Sequence, residues 1–176
     1  MSDRLPERIN PYRSAGQGRV LEGSYPLELM PRLAESVLGA PGEARVRLAF
    51  SKMEGGSVLL EGSIKATLSL TCQRCLSAMD YSVDSELRLV VVPDDARAAQ
   101  LQEEYDTLVV EEELFVRDLL EDELMLALPL IPRHETPEEC DEVARSYLHK
   151  EHEHGSEQEG KKENPFSVLE QLKTKH

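Results

Sequence analysis

Large aromatic side chains are scarce in this 176-residue chain, which has no tryptophan, three phenylalanines and five tyrosines. Few positions are therefore available for the base-stacking platforms that hold single-stranded nucleic acids. A surplus of positive charge is also missing. Lys and Arg number 20 against 34 Asp and Glu, for a net charge of −14 and a pI near 4.8. That excludes a uniformly basic clamp that tracks phosphates. No apolar run approaches the ~20 residues of a membrane span, so no transmembrane helix is expected. The opening MSDRLPERINPYR lacks the apolar stretch of a secretory signal. Cysteine is limited to three, an odd number without an export signal, which points to a reducing compartment with thiols or metal ligands instead of disulfides. Apolar residues at 40% suffice for one modest core. The expectation is an acidic, cytoplasmic domain with a tail.

The negative charge is local. Residues 103–123 carry ten acids against Arg117 alone, a net −9, including Glu111, Glu112, Glu113, Glu121, Asp122 and Glu123. Residues 1–92 are neutral, and 133–163 add −5. Such a segment is either a solvated face or a docking surface for a basic partner, because a concentrated field steers oppositely charged ligands and repels phosphates.

Apolar periodicity organises the rest. Leu29, Leu33 and Val37 at i, i+4, i+8 predict an amphipathic helix over 25–38 with Pro31 in its first turn. From Ala44 the period becomes two: Ala44, Val46, Leu48 and Phe50 alternate with polar residues. Glu54-Gly55-Gly56-Ser57 reads as a hairpin turn. A long strand follows with Leu60, Gly62, Ile64, Ala66, Leu68 and Leu70 on one face. After Cys72-Gln73-Arg74-Cys75, a third run places Met79, Tyr81, Val83, Leu87, Leu89 and Val91 on one face. Leu108–Val110 suggests a short fourth strand. Residues 114–128 return to helical spacing and stop at Pro129. The expected fold is α+β: a twisted antiparallel sheet, with the option of rolling into a partial barrel, packed by two or three helices. It occupies residues 1–136. An acidic, disordered linker is expected over 137–163, and a short C-terminal helix from Asn164.

Cys72-x-x-Cys75 in a turn between strands offers two ligands to a tetrahedral ion, and zinc needs two more. His134 and Cys140, just beyond the Pro-bounded helix, offer themselves for a set of three thiolates and one imidazole, although the spacing is unusual and nothing in the sequence places the helix exit beside the hairpin turn. A pair of metal-free thiols and a redox dithiol are the competing readings, the last weakened by the absence of a helix N-terminus at the motif. His149, His152 and His154 lie in the acidic linker and receive no role. Catalysis finds no phosphate loop, nucleophile elbow or zinc-protease helix, so no enzyme is expected. A minor basic patch of Arg45, Arg47, Lys65 and Arg88 on the polar strand faces, with Arg74 at the turn, is the alternative route to a partner through RNA.

Three stretches taken together, CQRCL at 72–76, EDELMLALPLIPRH at 121–134 and NPFSVLEQLK at 164–173, resemble the YceD-type family of bacterial large ribosomal RNA subunit accumulation proteins. Asn10-Pro11, Gly23 and the Leu60-x-Gly62 pair fit the same pattern, with Asn10 standing where the family often has Asp and Met125 where it has Leu or Ile. The resemblance implies a non-enzymatic bacterial factor, with a plastid branch in plants, linked to synthesis, processing or stability of large-subunit ribosomal RNA. It also implies that His134 and Cys140 belong with the CxxC pair. The expected partner is a large-subunit precursor, met through a basic ribosomal protein or through rRNA, with neither DNA nor membrane involved. The alternative is a zinc- or thiol-dependent redox or structural sensor.

Overall fold

The structure, a computed structural model, describes residues 4–101, 103–142 and 145–146. The chain divides into two compact units at Glu135/Thr136. In the first, elements follow in the order β1 (Arg8–Ile9), α1 (Pro11–Gly16), β2 (Val20–Pro26), α2 (Pro31–Ser36), β3 (Glu43–Lys52), β4 (Val58–Thr71), β5 (Ala78–Val92), α3 (Asp95–Leu101), β6 (Thr107–Val109), β7 (Leu114–Phe115) and α4 (Val116–Leu126).

The fold is α+β, with a mixed five-stranded sheet in the order β2-β3-β4-β5-β6 and a two-stranded β1-β7 ribbon. β2 through β5 pair antiparallel as a meander, and β6 joins β5 in parallel. The parallel strand needs a crossover, and α3 supplies it. The sheet stays open, with β2 and β6 at its edges, so the partial-barrel option is not taken.

Alternation places the core as expected. Val46, Leu48 and Phe50 of β3, Leu60, Ile64 and Leu68 of β4, and Val83 and Leu87 of β5 are buried, and their neighbours along each strand face outward. At Gly62 an added Cβ would lie 2.5 Å from the Arg47 carbonyl oxygen and 2.9 Å from Leu48 Cδ2. The tight approach of β3 to β4 explains a glycine mid-strand. The β3–β4 turn also needs glycine, because Gly55 and Gly56 have φ of 78° and 83°.

The segment expected as a helix over 25–38 is shorter. Tyr25 and Pro26 complete β2, paired with Ala44 and Glu43, and a 3-10 turn precedes α2. Pro31 does sit at the helix start. Leu33 is fully buried, while Leu29 is exposed, so the i, i+4 spacing spans a turn and a helix instead of one face. α1 has the start its sequence encodes: Asn10 Oδ1 accepts from the Arg13 N–H at 2.8 Å, and Pro11 occupies the first turn. α2 has no such cap from Met30. The carboxylate of Glu121 on α4 replaces it, accepting from the N–H groups of Arg32 at 2.6 Å and Leu33 at 3.0 Å.

In the second unit, the expected linker contributes a 3-10 turn at Pro137–Glu139, closed by the Cys140 N–H on the Pro137 carbonyl at 3.1 Å. The C-terminal helix expected over 164–173 lies outside the described residues, as does most of the 137–163 linker.

Candidate metal centre and acidic groove

The CxxC motif caps the β4–β5 hairpin. The Cys72 N–H donates to the Ser77 carbonyl at 2.9 Å and the Leu76 N–H to the Cys72 carbonyl at 2.8 Å, which curls residues 72–77 into a compact turn. Leu76 completes it at φ 60°, a left-handed conformation that a branched residue takes only where surrounding bonds impose it. The turn is tied to the chain beyond α4 by a Gln73 N–H to Pro132 carbonyl bond of 2.8 Å, and Tyr81 Oη donates to the Ala127 carbonyl at 3.3 Å. These bonds bring His134 to a motif some 60 residues earlier, a proximity that spacing alone does not reveal.

The ligating atoms of Cys72, Cys75 and His134, all in the first unit, lie within 4.8 Å of one another. Cys75 Sγ is 3.5 Å from His134 Nδ1 and 2.9 Å from Ser77 Oγ. Thiolates 2.3 Å from a tetrahedral zinc stand about 3.8 Å apart, so the cluster needs to contract by no more than about 1 Å to bind it. Cys72 and Cys140 are buried, and all three cysteines are present as thiols. Burial pushes the Cys72 thiol up, but the backbone N–H groups of His134, Cys75 and Arg74 and the Cys75 side chain outweigh it, leaving Cys72 lowered to about 6. The Arg74 N–H points at Cys72 Sγ from 3.4 Å. Arg74 also sets its guanidinium beside the cluster: Nη2 donates to the His134 carbonyl at 3.5 Å, while Nη1 is buried without a hydrogen-bond partner. The expected set of three thiolates and one imidazole around a dication would carry a net −1, and the partly buried Arg74 guanidinium would stand beside it as a counter-charge. The residues present therefore fit zinc.

The remaining candidates are scattered. The basic strand faces are largely neutralised: Arg47 pairs with Glu22 at 3.1 Å, Lys65 with Asp84 at 2.7 Å and Arg88 with Glu61 at 3.7 Å. Arg45 stays exposed opposite Lys65 in the register. Arg74 belongs to the cysteine turn and does not join them.

Of the acids, Glu111, Glu112 and Glu113 are exposed, with Glu113 reaching Arg8 at 3.3 Å. Glu121 is a correction: at 1% exposure it is a structural carboxylate bound to α2 and is closed to any partner. Asp122 is exposed and bound to Arg32 at 2.6 Å. Hydrogen bonds donated to Asp122 and then to Glu121 hold the Arg32 guanidinium above its ordinary value. Glu123 and Asp122 border an open groove of about 800 Å³ between β6 and α4. The groove went unread in the sequence, although Leu126 signals it by lying off the Leu120–Leu124 stripe.

Fold and site define a class: an α+β sheet domain whose hairpin turn gathers two cysteines and a histidine that could hold a metal, with an acid-rimmed groove beside α4. The sequence model of the family described as large ribosomal RNA subunit accumulation protein YceD matches residues 60–173, a span holding all four cluster residues. The large ribosomal RNA subunit accumulation protein YceD of Haemophilus influenzae is 33% identical over 176 residues, covering 98% of this chain and 98% of that protein. This chain belongs to the YceD family. No solved structure matches it.

Proposed function

We propose that this protein supports accumulation of large-subunit ribosomal RNA as a non-enzymatic, cytoplasmic binding factor that holds a basic ribosomal protein on its 103–123 surface. The observation that carries the reading is the distribution of uncompensated charge. Cations on β3, β4 and β5 face carboxylates one strand away, so an approaching phosphate meets nearly neutral pairs. Glu111 and Glu112 have no cation within ion-pair distance among the described residues and stand exposed, favouring a Lys- and Arg-rich partner. Contact with precursor rRNA through Arg45, Arg47, Arg74 and Arg88 is the competing route, and it requires RNA to break the Arg47 and Arg88 pairs.

Reversing Glu111, Glu112 and Glu113 to Lys tests the docking surface. Binding of a basic large-subunit protein at low salt should disappear, and in the wild type it should weaken as salt rises. Unchanged affinity in the triple variant defeats the reading.

The cysteine cluster supports a second element of the proposal. Zinc bound by Cys72, Cys75, His134 and Cys140 has four protein ligands and no open position, so its role is structural and not catalytic. The lowered Cys72 thiol favours metal binding and equally suits a thiol-dependent sensor.

A further inference from the structure

The groove between β6 and α4 offers more than charge. Leu89, Leu108, Leu119 and Met125 line it, with Phe115 and Leu126 at its mouth. Phe115 is 39% exposed, with the exposed Arg8 guanidinium over one face of its ring at 4.6 Å, and Leu126 is 79% exposed, so apolar surface reaches water at one place. Such concentration marks an interaction surface, and a ligand recognised by charge alone would leave it wet. The rim is acidic on both sides, from Glu111 and Glu113 to Asp118, Asp122 and Glu123. Arg8, Arg117 and Arg32 meet Glu113, Asp118 and Asp122. These pairs are exposed and readily exchanged. Glu111 and Glu123 have no cation within ion-pair distance among the described residues. Burial, then Asp122 and Asp106, push the Glu123 carboxyl up from its ordinary value, as happens to a carboxylate held among acids without a counter-ion.

We infer that this groove seats an amphipathic cationic peptide segment, which lays apolar side chains on Leu108, Phe115, Met125 and Leu126 and sets lysines or arginines against Glu111 and Glu123. The inference rests on the protein-docking reading and narrows it. The partner is selected by an apolar stripe flanked by positive charge, in the manner of a segment laid into a groove. Positive charge alone supplies encounter rate, and the apolar stripe supplies residence.

The test uses the full chain and two labelled synthetic peptides followed by fluorescence anisotropy. Both carry the same lysines, but one has leucines at i, i+3, i+4 and i+7 and the other has serines there. The leucine peptide should bind about tenfold more tightly than the serine peptide, the scale expected of apolar anchors in an interface. Leu126→Ser should erase that difference, and Leu126→Arg should weaken the leucine peptide further, while leaving the serine peptide's affinity within the change its added charge explains. Both substitutions replace a mostly exposed side chain, so an unchanged melting temperature verifies folding. Equal binding of the two peptides overturns the groove inference and leaves charge-based docking standing, provided Glu111, Glu112 and Glu113 reversal still abolishes it. Binding of neither peptide overturns both. Displacement of the leucine peptide by a single-stranded RNA of the same length also overturns the inference, in favour of nucleic acid.

Discussion

Glu121 holds two helices together through one carboxylate. Oε1 accepts from the backbone N–H groups of Arg32 and Leu33, and Oε2 accepts from Arg32 Nε at 3.1 Å. The backbone bonds dominate, because the Arg32 side chain is about half exposed and an ion pair there contributes little. Leu33 is fully buried, so its N–H has no water to replace the lost acceptor. Glu121→Ala should lower stability by about 2–3 kcal/mol, visible as a drop of roughly 5–10 °C in thermal denaturation. Glu121→Gln, which retains an acceptor oxygen, should lose less. A melting temperature within a degree of wild type in Glu121→Ala would refute the assignment. In the sequence, Glu121 is indistinguishable from Asp122 and Glu123, since all three lie in one acidic run. Only the packing of α2 against α4 separates the buried Glu121 carboxylate from the exposed Asp122 and the half-buried Glu123. Cys72 and Cys75 were legible as candidate ligands from spacing alone, while their approach to His134 depends on hydrogen bonds that no local pattern encodes.

At the scale of elements, legibility followed length and locality. β4 and β5 run 14 and 15 residues and pair through a short turn, so alternation and register were both readable. β2 contains Gly23, Ser24 and Pro26, which blur its period, and its partner lies beyond α2. β1 and β7 are two residues each and meet across more than 100 positions, leaving no period to detect. The same sheet yields a test of its tightest contact. Gly62 sits where β3 backbone leaves no room for a methyl group, and Arg47's carbonyl is fixed in the ladder. Gly62→Ala must part β3 from β4 locally, at a cost of about 1–3 kcal/mol. Denaturant unfolding should show a lower midpoint with an unchanged slope. An equal or higher midpoint would mean that the strands yield without strain.

At the scale of the whole molecule, the CxxC turn and His134 bring distant parts of the first unit together. Zinc on Cys72, Cys75 and His134 would close a loop of about 60 residues that contains β5, α3, β6, β7 and α4, and the entropy it would remove from the unfolded chain grows with the logarithm of that length. Binding energy realised only in the folded state is folding energy, so metal and stability must move together. Protein purified without chelator should carry about one zinc per chain by elemental analysis, and chelation should lower its melting temperature reversibly. Cys72→Ser and Cys75→Ser should each abolish binding. Arg74→Met tests the counter-charge: the ligands remain, but the anionic site loses its buried cation, so zinc affinity should fall about 10–100-fold. Metal-free protein with an unaltered melting temperature would end the zinc reading. Metal-free protein that reversibly loses two hydrogens by mass on mild oxidation would instead identify the cluster as a dithiol sensor, with the Cys72 thiolate as the attacking group.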